Sequence, residues 1–323
     1  MKDWMKTITD KKRMRDILLP GSHDAGMVLN KMTEGWLANK ANAGTQKLDI
    51  KAQLEAGVRW LDIRIEHDML CFHSSAKGVN LDEVCKDIIS FLDENLSEVV
   101  IVLLTKSHRS VYTIFLNKLN ELSKKSFPPL FHIGHDNQLA NVHLNSLRGR
   151  VVVVMDKPPE PEEVMDTSKA SYRIIKALLK KDDAEHLFNK ETILEFDQEK
   201  AALKYGLVLN TVGSYSGHSS VSTILTTQQN RATNIKSIDA SFMAVYYSTN
   251  TSEIGVRWHS IEHEDAKMWS GTNVTTMLDN ATQAKVNGGP VFNCVMMDFV
   301  TPERCGMVID RAAKFNHKLD HAD

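Results

Sequence analysis

An apolar run of six residues, VVIVLL at positions 99–104, constrains the fold of this 323-residue chain more than any other feature. A strand made almost entirely of Val, Ile and Leu is typical of a parallel sheet that is covered on both faces. A second run of this kind, VVVVM, occupies positions 151–155. Both runs are too short to cross a bilayer. They therefore predict buried strands of a parallel α/β sheet.

Helical patterns lie between the predicted strands. The clearest helix begins at Asn80, carries its apolar residues on one face and has Glu83 in a capping position. Further helices are predicted at residues 46–56, 110–124, 172–187 and 303–319. Further strands are predicted at residues 58–65, 207–212, 241–248 and 291–299, and a short one begins at residue 17. Loops are predicted at residues 35–44, 156–168 and 213–234, the last as a rim loop or lid.

Several predicted strands end in polar residues suited to chemistry. Strands that alternate with helices and end in this way are typical of a parallel α/β barrel. No glycine-rich dinucleotide loop follows the first strand, which disfavours an open nucleotide-binding sheet. We find no repeat and no domain boundary. The sequence thus predicts a single distorted (β/α)8 TIM-type barrel over residues 1–323.

The composition argues against a nucleic-acid partner. Lys and Arg total 39 against 41 Asp and Glu, a net charge of −2, so no global positive field would attract nucleic acid. The four cysteines lie in apolar settings without CxxC spacing, which favours buried, reduced thiols. The first sixteen residues lack the apolar stretch of a secretory signal. We therefore expect a cytoplasmic protein, or a secreted one whose signal has been removed.

Candidate catalytic groups follow the first two predicted strands. The segment PGSHDAG presents His23 and Asp24 where the first strand breaks, and RWLDIRI places Asp62 and Arg64 at the end of the second. The segment FHSS then supplies His73. Two imidazoles, a guanidinium and carboxylates can transfer protons and hold a phosphate. These groups predict phosphodiester chemistry.

The segments PGSHDAG, RWLDIRI, FHSS and VMMDFV resemble the X-domain motifs of phosphatidylinositol-specific phospholipases C, and those of the small bacterial members most. The similarity extends from Trp4 to about Lys106 and recurs at residues 147–154 and 291–300. The resemblance implies a barrel that cleaves phosphatidylinositol, or a related inositol lipid, to diacylglycerol and inositol 1,2-cyclic phosphate.

The resemblance also implies roles for the two histidines. His23 would be the general base that takes the proton of the inositol 2-hydroxyl, and Asp298 would orient it. His73 would be the general acid that protonates the leaving diacylglycerol oxygen, with Asp24 as its carboxylate. A carboxylate partner fixes the tautomer and the ring angle of an imidazole.

Arg64 distinguishes this chain from the calcium-dependent members, which carry a metal-binding carboxylate at the matching place. The resemblance therefore implies that Arg64 holds the phosphate in place of a cation, so that no metal and no cofactor is expected. Arg64 could also form a buried structural ion pair with Asp62. Asp62 and Lys106 are expected to contact the substrate. The bacterial pattern has an arginine near the end of the fourth strand, where this chain has Met155, which leaves the inositol contacts open.

Three alternatives remain open at this point. The barrel could cleave another lipid or a glycerophosphodiester, although such enzymes need metal-binding carboxylates. It could bind inositides without turnover, although a binding module needs no histidine pair. The segment HSIEH at positions 259–263 matches the H-x-x-E-H pattern of one class of zinc peptidases, but so short a pattern arises easily by chance.

A phospholipid substrate implies transient contact with a membrane surface. The longest apolar runs cannot anchor the chain in a bilayer, so any contact must be local. Trp4 and Trp36 are candidates because indole rings favour the lipid interface. Local packing of both side chains is the more ordinary expectation.

Overall fold

The computed structural model describes residues 1–104, 106–125, 127, 142–155, 174–181, 206–212, 241–247, 265–266, 269, 274–276, 278–279 and 294–319. Positions 174–181, 206–212 and 241–247 are described by their backbone. Within these residues the strands are β1 Leu19–Ser22, β2 Trp60–Ile63, β3 Leu70–His73, β4 Ala76–Asn80, β5 Val100–Leu104, β6 Val151–Met155, β7 Ile174–Lys181, β8 Gly206–Val212, β9 Ser241–Tyr247 and β10 Cys294–Met297. The helices are α1 Lys40–Ala43, α2 Ile50–Ala56, α3 Leu81–Glu94, α4 Arg109–Leu122, α5 Leu144–Leu147 and α6 Pro302–Leu319.

Eight of these strands form one parallel sheet. Their order is β1-β10-β9-β8-β7-β6-β5-β2, and β2 pairs with β1, so the pairings close into a ring. The predicted parallel α/β fold is confirmed. No helix in the described part of the chain is long and apolar enough to cross a membrane.

The apolar runs and the helix pattern form the elements expected of them. All five residues of β5 and all five of β6 are buried. The predicted helix after Asn80 is α3, and the Asn80 side chain accepts the backbone N–H of Glu83 at 2.8 Å. Gly57 ends α2 with φ at 124°, a backbone conformation that glycine adopts without strain. In this part of the parallel α/β fold, local sequence therefore determines where helices begin and end.

The helix predicted at residues 172–187 is wrong where the structure describes it. Positions 174–181 form β7, which pairs in parallel with β6 and β8. Their sequence, IIKALLKK, has apolar pairs that fit either a short strand or a helix. Backbone pairing with two neighbouring strands decides between them, and a local pattern does not contain that information.

The segment between β1 and β2 also differs from its prediction. Positions 35–44, predicted as a loop, contain the short helix α1. The helix predicted at residues 46–56 begins only at Ile50, after its N-cap Asp49. Gln46 therefore lies before the helix in extended chain.

The four cysteines are buried and form no disulfide, as predicted. Burial raises the pKa of the Cys305 thiol to about 12. It also raises the pKa of Cys71, which lies on β3 beside the site described below. None of these thiols is therefore a nucleophile near neutral pH.

A buried ion pair lies at the amino-terminal ends of the strands. Nε and Nη2 of Arg59 contact a carboxylate oxygen of Glu98 at 2.8 and 2.7 Å, and both side chains are fully buried. The Arg59 guanidinium lies 4.8 Å from the ring centroid of Phe91. The Arg59 guanidinium also lies 5.8 Å from the ring centroid of Trp4, which donates its indole N–H to the Gly57 carbonyl at 3.0 Å. The expectation that Trp4 packs locally is confirmed.

We expect Glu98→Gln to lower the free energy of unfolding by about 3–5 kcal/mol, because removing one charge leaves the Arg59 guanidinium buried without compensation. Urea denaturation followed by circular dichroism measures the change. Lys118→Met is the control, since Lys118 pairs with Asp82 on the surface at 3.2 Å and such pairs contribute little. Equal urea midpoints for the two variants would contradict a stabilising role for the buried pair.

Candidate active site

The structure brings six of the predicted residues into one hydrogen-bonded cluster at the carboxyl ends of the parallel strands: His23, Asp24, Asp62, Arg64, His73 and Asp298. His23 follows β1, Arg64 follows β2 and Asp298 follows β10. The carboxyl ends of barrel strands meet at one rim, so side chains far apart in sequence converge there.

The backbone turns sharply at Asp24. Its φ is 42°, in the left-handed region, which aspartate tolerates better than most residues. The next residue, Ala25, donates its N–H to the Asp62 carbonyl at 2.9 Å. This turn keeps the Asp24 carboxylate buried.

His23 lies between a carboxylate and a guanidinium. Its Nε2 is 3.2 Å from Nη2 of Arg64, and its Nδ1 is 2.9 Å from Oδ1 of Asp298. A guanidinium can only donate hydrogen bonds, so its contact with Nε2 requires a lone pair there. The ring proton then lies on Nδ1 and is donated to Asp298. His23 is thus arranged as a neutral imidazole with a basic Nε2.

His73 forms a second pair of the same kind. Its Nδ1 lies 2.5 Å from Oδ2 of Asp24. His73 ends β3, which with β4 forms an antiparallel hairpin after β2. Phe72 donates its N–H to the Arg64 carbonyl at 3.1 Å, which fixes the hairpin to the end of β2. The hairpin therefore delivers a second histidine to the rim.

Arg64 connects both pairs. Its Nη1 and Nη2 donate to Oδ2 of Asp24 at 3.1 Å and to Oδ2 of Asp62 at 2.8 Å, and its Nε lies 2.9 Å from Oδ1 of Asp24 as an ion-pair contact. This forked arrangement fixes the plane of the guanidinium. The predicted ion pair with Asp62 is present. Because 15% of the Arg64 side chain remains exposed, an anion can approach it from the solvent side.

The charges of the cluster raise the pKa of His23 and lower the pKa of Asp24. Burial alone would lower the pKa of His23, and Arg64 acts in the same direction. The negative charges of Asp24 and Asp298 outweigh both, so the pKa of His23 is raised above its ordinary value. Burial disfavours ionisation of Asp24, yet the charges of Arg64 and both histidines hold the pKa of its carboxyl below the usual range. Asp24 is therefore ionised at neutral pH.

The donor set also bears on metal binding. Ligand atoms of His23, Asp24 and Asp62 lie within 4.8 Å of one another. The Arg64 guanidinium, however, contacts both carboxylates at 2.8–3.1 Å and supplies the positive charge that a cation would bring. A cation among these oxygens would face that charge at close range. With Arg64 in this place, the three groups do not fit a resident metal.

Lys106 lies at the same rim, after β5. Its side chain is exposed and its backbone φ is 59°. It is not one of the six clustered residues, and its contact with substrate stays a prediction. The other candidates, the predicted lid at 213–234 and the HSIEH segment at 259–263, lie outside the described residues.

Sequence reasoning missed two residues that support the cluster. Gln46, predicted in a helix, hydrogen-bonds the backbone at the ends of β1 and β10. Arg304, on α6, donates to the carbonyl of Asp298 at 2.9 Å and to the buried carboxylate of Asp265 at 2.7 Å. Gln46 reaches a carbonyl 251 positions away, and Arg304 reaches a carboxylate 39 positions away. No local pattern would have indicated them.

Comparisons with known sequences place the chain among related proteins. Residues 11–177, slightly more than half of the chain, match the family model described as PI-PLC X. The 1-phosphatidylinositol phosphodiesterase of Listeria monocytogenes is 25% identical over 171 residues, 52% of this chain and 53% of the relative. The 1-phosphatidylinositol phosphodiesterase of Staphylococcus aureus strain Newman is 26% identical over 168 residues, 47% of this chain and 49% of the relative. The alignments thus span about half the length of these curated relatives.

The fold is also similar to solved structures. The phosphatidylinositol-specific phospholipase C of L. monocytogenes matches with a TM-score of 0.64 at 20% identity, covering 96% of this chain and 98% of that one. A pentafluoro-Phe derivative of the S. aureus phosphatidylinositol-specific phospholipase C matches with a TM-score of 0.62 at 16% identity, covering 96% and 97%. At such identities the likeness is one of fold. Together with the family match over residues 11–177, it shows that this chain belongs to the PI-PLC X family.

Proposed function

We propose that this protein cleaves phosphatidylinositol, or a closely related inositol lipid, to diacylglycerol and inositol 1,2-cyclic phosphate without a metal ion. The observation that carries the proposal is the pair of histidine–carboxylate contacts, His23–Asp298 and His73–Asp24, on either side of Arg64. The names of the curated relatives, 1-phosphatidylinositol phosphodiesterase, support this substrate class.

His23 acts as the general base in this proposal. Its Nε2 takes the proton of the inositol 2-hydroxyl, and the oxygen attacks phosphorus and closes the cyclic ester. The ring becomes an imidazolium, which Asp298 stabilises through Nδ1 at 2.9 Å. A positioned base contributes about a hundred- to ten-thousandfold to the rate.

Arg64 and His73 complete the reaction. The guanidinium binds the non-bridging phosphate oxygens and stabilises the charge that develops as phosphorus becomes pentacoordinate. His73, protonated and paired with Asp24 at 2.5 Å, gives its proton to the diacylglycerol oxygen as the P–O bond breaks. The two histidines thus exchange protonation states in each turnover, and water attack on the cyclic ester can reset them.

We infer that this chain forms a distorted (β/α)8 TIM-type barrel over residues 1–323 as a single catalytic domain. The closed order of strand pairings supports this architecture. So does the likeness to a solved phospholipase C chain, which covers 96% of this one.

The test is turnover of phosphatidylinositol in vesicles with a chelator present, followed by phosphorus NMR. We expect the cyclic phosphate to form with chelator at the same rate as without it. Formation only after calcium is added would overturn the role of Arg64. If no product forms under either condition, other lipid phosphodiesters and glycerophosphodiesters would be screened with the same readout.

The proposed substrate lies in a membrane, and one side chain near the site suits contact with it. Trp36 is 86% exposed and the adjacent Leu37 is 40% exposed. The expectation that Trp36 packs locally is therefore wrong. The backbone N–H groups of Leu37 and Ala38 donate to Ser75 Oγ at 2.9 and 3.1 Å, and Ser75 follows His73 by two residues. We propose that this loop enters the lipid interface beside the active site.

Trp36→Ala is expected to weaken binding to vesicles of phosphatidylinositol and phosphatidylcholine about tenfold. A large apolar side chain moved out of water contributes about 1.5–3 kcal/mol, and 1.4 kcal/mol is a factor of about ten. Sedimentation of sucrose-loaded vesicles measures the binding. Leu96→Ala is the matched control, because Leu96 is 45% exposed but precedes β5 at the opposite ends of the strands. Equal losses for both variants would exclude a specific role for the Trp36 loop.

A further inference from the structure

A buried glutamine bridges the two strand ends that carry the His23–Asp298 pair. Nε2 of Gln46 donates to the carbonyl oxygens of His23 at 2.9 Å and Met297 at 3.1 Å. Its Oε1 accepts the N–H of Val300 at 3.1 Å. The side chain is fully buried. One residue therefore links the end of β1 to the backbone on both sides of Asp298.

The partners fix the orientation of this amide. Carbonyl oxygens can only accept and the Val300 N–H can only donate, so Nε2 must face His23 and Met297. A buried amide with these three bonds is costly to disturb, because each lost bond leaves a desolvated polar group. Gln46 is therefore held in one conformation.

Neighbouring contacts connect the same two strand ends. His23 donates its backbone N–H to the Met297 carbonyl at 3.0 Å, and Phe299 donates its own to the Thr45 carbonyl at 2.7 Å. The Thr45 hydroxyl donates to the carbonyl of Asp24 at 2.9 Å. The Met297 carbonyl thus receives both the Gln46 amide and the His23 backbone. Gln46 therefore contacts the backbone segments whose separation sets the distance between the His23 ring and the Asp298 carboxylate.

We propose that Gln46 is a positioning residue, which fixes the backbones of His23 and Asp298 relative to each other and so holds the imidazole against its carboxylate. It is neutral, so replacing it with another neutral residue leaves the charges around His23 in place. Those charges are Asp298, which follows β10, Asp24 in the same loop, Arg64, which follows β2, and Asp62 on β2 at 4.0 Å. A change in the pKa of His23 would then report a change in the distance between its ring and Asp298.

The test compares Gln46→Met with the wild-type protein. We expect kcat to fall about ten- to hundredfold with little change in KM, because a misplacement of reacting groups by about 1 Å costs about a hundredfold. A longer distance between His23 and Asp298 weakens the interaction that raises the pKa of His23, so that pKa falls. Proton NMR titration of the His23 ring measures it, with His23→Ala used to assign the resonance.

Gln53→Met is the matched control. Gln53 is equally buried, and its amide also makes three hydrogen bonds, to Ser22 Oγ at 2.7 Å and to the carbonyls of Ala25 and Leu48 at 3.0 and 2.8 Å. None of these partners is on β10. We expect a similar loss of stability in urea but no fall in the pKa of His23.

Equal effects of the two variants on kcat and on the His23 titration would overturn the proposal. If Gln46→Met does not fold, Gln46→Asn carries the test, because it keeps an amide that is one methylene too short to reach both strands. The kinetic readout rests on the proposed function, whereas the NMR titration needs no substrate. A shifted titration in a protein that cleaves no inositol lipid would retain the positioning role and reject the function.

Discussion

His23→Ala is expected to lower kcat for cyclic phosphate formation about a hundred- to ten-thousandfold while the fold is retained. The loss follows from the geometry of the base. The ring of His23 presents Nε2 to Arg64 and is oriented by Asp298 at 2.9 Å, and the described structure offers no second imidazole with that pair of partners. Initial rates on phosphatidylinositol vesicles, with phosphorus NMR to identify the product, measure the effect.

The pH dependence gives a second readout of the same prediction. A general base must be neutral to act, so kcat/KM falls as the pH drops through its pKa. The pKa of His23 is raised, because the negative charges of Asp24 and Asp298 outweigh burial and the charge of Arg64. The acid limb of the wild-type profile should therefore lie above the range of an ordinary imidazole. It should be absent from the residual activity of His23→Ala.

The matched control is His143→Ala. His143 is an exposed histidine before α5, and its side chain makes no capping hydrogen bond to that helix. This variant should keep the wild-type rate and the wild-type acid limb. If His23→Ala also keeps them, His23 is not the base and the proposed mechanism is wrong.

The sequence predicted the first half of the fold because its signals are local. The apolar runs at 99–104 and 151–155 became β5 and β6, and the stripe after Asn80 became α3. The rim could also be predicted, since the carboxyl ends of parallel strands lie at one end of a barrel. His23, Arg64 and Asp298 converge for that reason, although 275 positions separate the first from the last.

What the sequence could not predict depends on contacts between distant segments. The pattern IIKALLKK fits a helix as well as a strand until β6 and β8 pair with it. Gln46 lies in what looks like the start of an amphipathic helix, and only its bonds to β1 and β10 reveal its place. The hairpin that carries His73 is likewise defined by its pairing with the end of β2. These features are defined only by contacts that form once the parallel sheet has assembled.

Arg64→Met should lower kcat about a hundred- to thousandfold, because it removes the group that would stabilise negative charge on phosphorus. It should also move the acid limb of the rate profile to higher pH, since the positive charge of Arg64 lowers the pKa of His23. Arg64→Lys separates charge from shape. A lysine keeps the charge, so the acid limb should stay near its wild-type position, but one ammonium cannot reproduce the forked contacts with Asp24 and Asp62.

The two Arg64 variants must be compared per folded molecule, because Asp24 and Asp62 are buried and lose their counter-charge in Arg64→Met. Urea denaturation provides that correction. Arg311→Met is the control for the loss of an arginine outside the site. Arg311 lies on α6 and pairs with Asp279 at 3.1 Å. A wild-type kcat in Arg64→Met would show that Arg64 does not stabilise the phosphate in the reaction. A wild-type kcat in Arg64→Lys alone would mean that a point charge suffices, and that the fork observed here serves to organise Asp24 and Asp62 rather than to bind the phosphate.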